Sequence, residues 1–247
     1  MDLIICFIDD SDFEHDLVRE EIAPLAPDLI FIQAYTFAQA EAELGNRIPG
    51  LFLLDLWGQD PDVKEPVLTP KEQLDEIVAR FNTLDDVYEG LGTYGKDRNN
   101  EYLRRIFTIV DGWRNLFELV CNRIGQNRKY GLSNLARARI RYPGVPGVFY
   151  TRKSLIHDAV AMFKAHADGL FIKPTGIDDA ATRELTRKNG PYLIRELTGI
   201  VDSRIRELAD SLVLYGEKNS LGEDAVRNLI RDWKKFINKK KRTTSLP

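Results

Sequence analysis

Three aspartates follow apolar runs of the sequence and have the residue type and spacing of a cation-binding site. Asp9 and Asp10 come directly after the run 3–8. Asp55 comes directly after the run 51–54. If both runs are neighbouring strands of one parallel sheet, the three carboxylates meet at the edge where open α/β sheets carry their sites. Clustered carboxylates repel one another, raise one another's pKa values and favour a divalent cation. The sequence therefore predicts a metal site at this edge.

Short apolar runs of this kind recur along the chain without the alternation of a half-exposed strand. They cover residues 3–8, 29–34, 51–54, 145–150 and 169–172. Continuous apolar runs are typical of strands that are buried on both faces of a parallel sheet. Helical patterns lie between them, at 12–23, 36–44, 131–141 and 154–166. Alternating strands and helices predict a doubly wound α/β sheet.

Two more polar positions follow strand-like runs further along the chain. Thr151 comes after 145–150, and Lys173 comes after 169–172 and begins a Lys-Pro pair. In the order acidic pair, single Asp, Thr and Lys-Pro, the chain resembles the receiver domain of two-component response regulators. The stretch 131–146 also resembles that family's third helix and the start of its fourth strand. The resemblance implies a flavodoxin-like, five-stranded parallel sheet with strand order 2-1-3-4-5.

The resemblance also implies a role for each polar position. Asp55 is the phosphoacceptor, whose carboxylate attacks a phosphohistidine on a partner protein. Thr151 and Lys173 contact the phosphoryl oxygens and complete the catalytic set. The implied cofactor is Mg²⁺, and its ligands are Asp9, Asp10, Asp55 and the backbone carbonyl of Trp57.

Two positions depart from the family's pattern. The residue after the threonine is usually small, but here it is Arg152. Arg152 is placed to shield or contact the phosphoryl group, and we count it with Thr151 and Lys173 as a phosphoryl-binding residue. The family's usual switch aromatic is replaced by Leu170. These departures concern the switching of the domain more than its phosphorylation.

A long segment interrupts the receiver pattern after its third strand. Residues 58–130 are too many for an ordinary connection between a strand and a helix. They carry two apolar stripes at helical spacing, separated by the glycine-rich stretch 90–95. We interpret 58–130 as an inserted helical hairpin, and 1–57 with 131–188 as a discontinuous receiver domain.

The C-terminal segment 189–247 is again helical in pattern, with apolar stripes in 193–212 and 226–237 after a Gly190-Pro191 pair. Three partners would cover these stripes: the inserted hairpin in a four-helix bundle, the receiver itself, or a second copy of the chain. The basic run 234–242 suits a solvated helix end. It also leaves DNA binding as an alternative output.

Composition narrows the class of protein. The chain has 247 residues, 43% of them apolar and 30% charged, as in a soluble globular protein. Its net charge of −3 makes general nucleic-acid binding unlikely from composition alone. The apolar stretches are too short for a transmembrane helix, and the start Met1-Asp2-Leu3 lacks the basic region of a signal peptide. We therefore expect a cytoplasmic protein, in which Cys6 and Cys121 are packed, reduced thiols.

These observations lead to one main functional hypothesis. The chain is expected to be a phosphorelay response regulator, which is phosphorylated on Asp55 by a sensor histidine kinase or a phosphotransfer protein. It is not expected to be an enzyme with a separate substrate, because it catalyses its own phosphorylation and dephosphorylation. Its helical part is expected to contact an unknown downstream protein, and a homodimer is possible. A Mg²⁺-dependent phosphohydrolase is a weaker alternative, since the stretch 55–57 lacks the second Asp of the haloacid-dehalogenase motif.

Overall fold

The structure is a computed structural model that describes residues 3–59, 68–79, 83, 85–152 and 156–219. Its strands are β1 (Leu3–Ile8), β2 (Leu29–Ala34), β3 (Leu51–Leu54), β4 (Gly58–Gln59), β5 (Gln126–Asn127), β6 (Gly147–Thr151) and β7 (Gly169–Ile172). Its α-helices are α1 (Asp12–Leu17), α2 (Phe37–Leu44), α3 (Lys71–Ala79), α4 (Arg98–Arg123), α5 (Lys129–Arg141), α6 (Ile156–Lys164) and α7 (Asp179–Asn219). Shorter helical turns cover Val18–Ile22, Ala23–Leu25, Asp85–Val87 and Leu91–Asp97.

The five long strands form one parallel sheet in the order β2-β1-β3-β6-β7. Strands β4 and β5 form a separate antiparallel pair. When the long strands alone are numbered, their order is 2-1-3-4-5, so the predicted flavodoxin-like fold is confirmed. The fourth long strand begins at Gly147, two residues later than predicted. Pro146 has no N–H to donate to the ladder, and only its carbonyl takes part, by accepting from Phe52 N.

Side chains of each strand point alternately to two apolar layers. One layer joins Cys6, Phe52 and Phe149 to residues of α2, α5 and α6, such as Leu135. The other joins Phe7, Leu53 and Val148 to α7 and to the helical turns that follow α1. Each fully buried side chain of this size contributes roughly 1.5–3 kcal/mol to the stability of the fold. Burial on both faces explains the continuous apolar runs of the central strands β1, β3 and β6, whereas the edge strands β2 and β7 are partly exposed. Cys6 and Cys121 are both buried, as predicted.

Helix α7 differs from the sequence expectation. It runs without interruption through Gly190-Pro191, so the boundary predicted at residues 188–189 lies inside one helix. Beyond the proline, Leu193, Leu197 and Val201 are buried against the sheet. This burial outweighs the local helix-breaking tendency of the Gly-Pro pair. The first part of the predicted C-terminal stripe therefore docks on the five-stranded sheet, one of the three expected partners.

The insertion between β3 and α5 is helical, as expected. Its helices α3 and α4 pack together around Leu74, Val87, Leu91 and Ile109, which are buried. The C-terminal end of α4 reaches the receiver core through Phe117 and Cys121. Its N-terminal half leaves a row of apolar side chains largely exposed: Leu103, Phe107, Val110 and Trp113.

Parts of the sequence interpretation lie outside the described residues. These are the second C-terminal stripe, 226–237, and the basic run 234–242 that motivated the DNA-binding alternative. Within the described part of the chain, none of the helices combines the length and hydrophobicity that a membrane span requires.

We predict that α7 is part of the receiver fold. Leu197→Ala should lower the free energy of unfolding by about 2–5 kcal/mol, because it leaves a cavity in a fully buried position. The measurement is equilibrium urea unfolding of the full chain. Leu208→Ala is the matched control, since that side chain lies on the same helix and is 41% exposed. Equal losses of stability in the two variants would contradict the docking of α7.

Candidate functional site

The predicted cluster of carboxylates forms at the carboxyl edge of the sheet. Strands β1 and β3 are neighbours, with Ile8 beside Leu54, so the residues that follow them come together. The backbone N–H of Asp55 donates to the carbonyl of Ile8 at 2.9 Å. Asp9, Asp10 and Asp55 each offer an oxygen atom, and these atoms lie within 4.8 Å of one another.

Lys173 supplies a buried positive charge to this cluster. It follows β7, and its side chain is only 3% exposed. Its Nζ donates to Asp9 Oδ2 and, at 3.1 Å, to Asp55 Oδ1. Burial alone would lower the pKa of Lys173, but the neighbouring carboxylates outweigh burial and raise that pKa. Lys173 is therefore charged and ties two strand ends together.

The aspartates are held in a site that disfavours their negative charge. Burial raises the pKa of Asp9 to about 7, against the opposing effect of Lys173. Burial also raises the pKa of Asp55, although Lys173 and a hydrogen bond from Thr151 oppose the shift. One lysine does not neutralise three carboxylates, so this donor set fits a divalent cation that accepts oxygen ligands.

Asp9 and Asp55 are each held in position by local hydrogen bonds. Asp9 Oδ1 accepts from Ser11 N at 3.0 Å. Its carbonyl oxygen lies 3.0 Å from His15 Nε2, in a buried contact. Asp55 Oδ2 accepts from the backbone N–H of Trp57 at 3.0 Å. The carboxylate positions are therefore set by backbone geometry near each strand end as well as by Lys173.

A glycine allows helix α5 to approach the end of strand β3. The N–H of Gly131 donates to the carbonyl of Leu56 at 3.1 Å. A Cβ atom at this position would lie 2.3 Å from the backbone oxygen of Asp55 and 2.6 Å from Leu56 Cα. Any larger residue at 131 must therefore displace the backbone that carries Asp55.

Glu14 is a fourth carboxylate of the site that the sequence analysis did not assign. It is buried on α1, and its Oε2 lies 3.5 Å from Lys173 Nζ. Its Oε1 accepts from Arg152 Nε at 2.6 Å. The available signal was its spacing: Glu14 is four residues after Asp10, in the helix that begins just after β1.

Arg152 lies between α1 and the segment that follows β7. Besides Glu14, it donates to the carbonyl of Pro174 at 2.8 Å and to Thr175 Oγ1 at 3.0 Å. Its contact with a phosphoryl group stays a prediction. Leu170, at the position of the family's switch aromatic, packs against the core layer of α2, α5 and α6. Phe171 packs against the opposite layer.

Trp57 and Asp10 connect the site to the insertion. The indole of Trp57 is buried and lies edge-on to Phe117 of α4, with ring centroids 5.2 Å apart. Asp10 Oδ2 accepts from Gln59 N at 3.0 Å and from Gln126 Nε2 at 3.3 Å. Of the sequence-predicted residues, the structure thus brings together Asp9, Asp10, Asp55, Thr151 and Lys173, with Trp57 directly beside them.

The strand order defines a flavodoxin-like, doubly wound α/β domain with a cluster of charged residues at the carboxyl edge of its sheet. Solved structures of similar fold are response-regulator receiver domains. One, a CheY-like receiver domain protein from Methanospirillum hungatei JF-1, has 14% sequence identity and a TM-score of 0.43, over 84% of this chain and 99% of its own. The response regulator domain of Thermotoga maritima CheB has 11% identity and a TM-score of 0.43, over 82% and 98%. The Mn²⁺-bound response regulator Rcp1 has 15% identity and a TM-score of 0.37, over 76% and 91%.

No protein-family model matches the sequence, and no match is found among curated proteins. Identities and TM-scores this low do not assign a function. The functional argument therefore rests on the residues of the site.

We predict that the metal-free site destabilises the protein at alkaline pH. With the pKa of Asp9 at about 7 in the folded state and an ordinary value of 3.8, the folded protein holds a proton that the unfolded chain releases. Stability should therefore fall as pH rises from about 4 through 7. Asp9→Asn removes this penalty, so at pH 8 it should unfold at higher urea than wild type.

The measurement is urea unfolding in EDTA at pH 5 and pH 8. Asp28→Asn is the control because Asp28 is exposed, and it should change neither curve. A gain that is the same at both pH values, or an Asp9→Asn variant less stable than wild type at pH 8, would contradict the prediction.

Proposed function

We propose that the protein is a response regulator in phosphorelay signal transduction. It accepts a phosphoryl group on Asp55, with Mg²⁺, from a sensor histidine kinase or a phosphotransfer protein in the cytoplasm. Its output is a protein–protein contact made through the helical part. The observation that carries this proposal is the arrangement of Lys173, whose Nζ bonds to both Asp9 and Asp55 at the carboxyl edge of the sheet.

The chemistry that this arrangement supports is phosphoryl transfer between two side chains. A carboxylate oxygen of Asp55 attacks the phosphorus of a phosphohistidine. The P–O bond forms as the P–N bond breaks, and the imidazole leaves with its electron pair. Lys173 neutralises a phosphoryl oxygen, and the Thr151 hydroxyl donates a hydrogen bond to another. Attack of water on the phosphorus later releases phosphate, so the protein catalyses both reactions on itself and needs no separate substrate.

The cation belongs to the same proposal. Asp9, Asp10, Asp55 and the carbonyl of Trp57 would hold it, because carboxylate and carbonyl oxygens are the ligands that Mg²⁺ prefers. When bound, Mg²⁺ neutralises charge on the phosphoryl oxygens. The raised pKa values of Asp9 and Asp55 support a site that gains from added positive charge.

Arg152 is the residue we assign to switching. Its guanidinium is held by Glu14 and by the carbonyl of Pro174, so it links two segments that flank Lys173. A phosphoryl group on Asp55 would compete with Glu14 for the guanidinium of Arg152. If Arg152 exchanged Glu14 for the phosphoryl group, the segment after β7 would loosen. Arg152 would thus take the switching role that an aromatic residue has in the family, since Leu170 stands at that position here.

Phosphorylation is tested directly by intact mass. After treatment with acetyl phosphate or phosphoramidate and Mg²⁺, the mass of the protein should rise by one phosphoryl group, because Asp55 is held close to Lys173 and to the cation ligands. Asp55→Asn should abolish the increase, and Asp28→Asn should keep it. Labelling of the Asp55→Asn variant at the wild-type level would disprove the assignment.

Lys173 should act on the phosphoryl group more than on the cation. Lys173→Met removes the charge but keeps an apolar stem beside Phe7 and Tyr150. The site then becomes more negative, so Mg²⁺ binding, measured by calorimetry, should persist. Phosphorylation by acetyl phosphate should slow at least about tenfold, because one charge-assisted hydrogen bond to the transferring group is lost.

The control for Lys173→Met is Lys96→Met, in the inserted segment, which should alter neither measurement. Complete loss of Mg²⁺ binding in a folded Lys173→Met protein would show that the lysine organises the cation ligands instead.

A further inference from the structure

The insertion begins and ends at one small element next to the site. Strand β4 pairs antiparallel with β5, with Gly58 opposite Asn127 and Gln59 opposite Gln126. We call this pair the ribbon. It contains the first residues of the insertion and some of its last, so it joins both ends of the insertion beside the site.

Both strands of the ribbon bind the same oxygen of Asp10. Gln59 donates its backbone N–H to Oδ2 at 3.0 Å, and Gln126 donates its side-chain Nε2 to the same atom at 3.3 Å. Asp10 is partly exposed, whereas Asp9 and Asp55 are buried. The two ribbon donors therefore orient the Asp10 carboxylate, whereas Asp9 and Asp55 are held by Lys173 and by local backbone N–H groups.

The ribbon is held in place by its contact with Tyr130. A Cβ atom at Gly58 would lie 2.6 Å from the ring of Tyr130, so the strand rests directly on that ring. The Tyr130 hydroxyl donates to the carbonyl of Tyr35 at 2.7 Å, which anchors the ring to the receiver. The residue before the ribbon, Trp57, packs on Phe117 of α4. A series of direct contacts thus connects the ribbon, the proposed cation ligands and α4.

We propose that the ribbon positions Asp10 for cation binding, with Gln126 as the positioning side chain. By binding Oδ2, it fixes the orientation of the Asp10 carboxylate beside Asp9 and Asp55. Cation binding and closure of the ribbon then strengthen each other, and the insertion senses whether the site is loaded. The inference rests on the proposed cation site, but it does not require that Asp55 be phosphorylated.

The expected sign and size follow from general rules. Hydrogen bonds that orient a metal ligand typically change metal affinity by about 10–100-fold when they are removed. Coupling between two equilibria is reciprocal, so a ribbon that raises cation affinity must itself be stabilised by the cation. Gln126 supplies one of two donors to Asp10, so its loss should weaken Mg²⁺ binding about tenfold.

The experiment uses the full chain and Mg²⁺ alone. Gln126→Met keeps the length of the side chain and removes its donor, and titration calorimetry should show about tenfold weaker Mg²⁺ binding than in wild type. Gln73→Met, at an exposed position of α3, is the matched control and should bind as wild type does. In an Asp10→Asn background, Gln126→Met should have no further effect on affinity, because the oxygen it orients is no longer a charged ligand.

Hydrogen exchange of the wild-type protein tests the reciprocal effect without any variant. Saturating Mg²⁺ should slow exchange at Gln59, whose amide is bound to Asp10, and at residues 126–127. Unchanged exchange there would overturn the inference. Tighter Mg²⁺ binding in Gln126→Met would also overturn it, since the ribbon would then compete with the cation for Asp10.

A labelling assay separates this inference from the proposed function. If Gln126→Met binds Mg²⁺ as wild type does and Asp55 still takes up a phosphoryl group from acetyl phosphate, only the role of the ribbon is wrong. If the wild-type protein neither binds Mg²⁺ nor is labelled, both the proposed function and the role of the ribbon are wrong.

Discussion

The buried ion pairs of Lys173 are the interaction on which the site depends. One ammonium group lies between carboxylates that follow two different strands, at a position where burial alone would favour neutral forms of all three groups. The lysine follows β7, which is separated from β3 by β6, so its side chain must reach past the end of β6 to bond to Asp55. The parallel order of the sheet and the length of this side chain together fix where the ammonium group meets the carboxylates.

Much of this arrangement could be predicted from the sequence because the sheet is buried on both faces. A continuous apolar run must end where the strand leaves the core, so Asp9, Asp55 and Lys173 mark strand ends and site positions at once. Thr151 marks its strand end as the last residue of β6. Glu14 does not follow a strand, and an acidic residue in the first turn of a helix is common, so the sequence does not single it out as a site residue. Its role follows only from the packing of α1 beside Lys173 and Arg152.

The sequence analysis was less successful where local preference and tertiary burial disagree. Gly190-Pro191 indicates a helix end by local rules, yet α7 continues because Leu193, Leu197 and Val201 are buried on the sheet. That docking places the first part of the C-terminal stripe on the sheet. The ribbon was not predicted, for a different reason. Two-residue strands have no periodicity, and their pairing depends on the ends of an insertion that meet only in the folded chain.

The pairing of β4 with β5 has a consequence for how the chain folds. Strands β3 and β6 are neighbours in the sheet although the whole insertion separates them in sequence, and contacts of such high sequence separation slow folding. If the insertion folds as a unit, the pairing of its two ends brings β3 and α5 close together. The ribbon would then shorten the loop that must close before β3 and β6 pair, although the insertion lies between them in sequence.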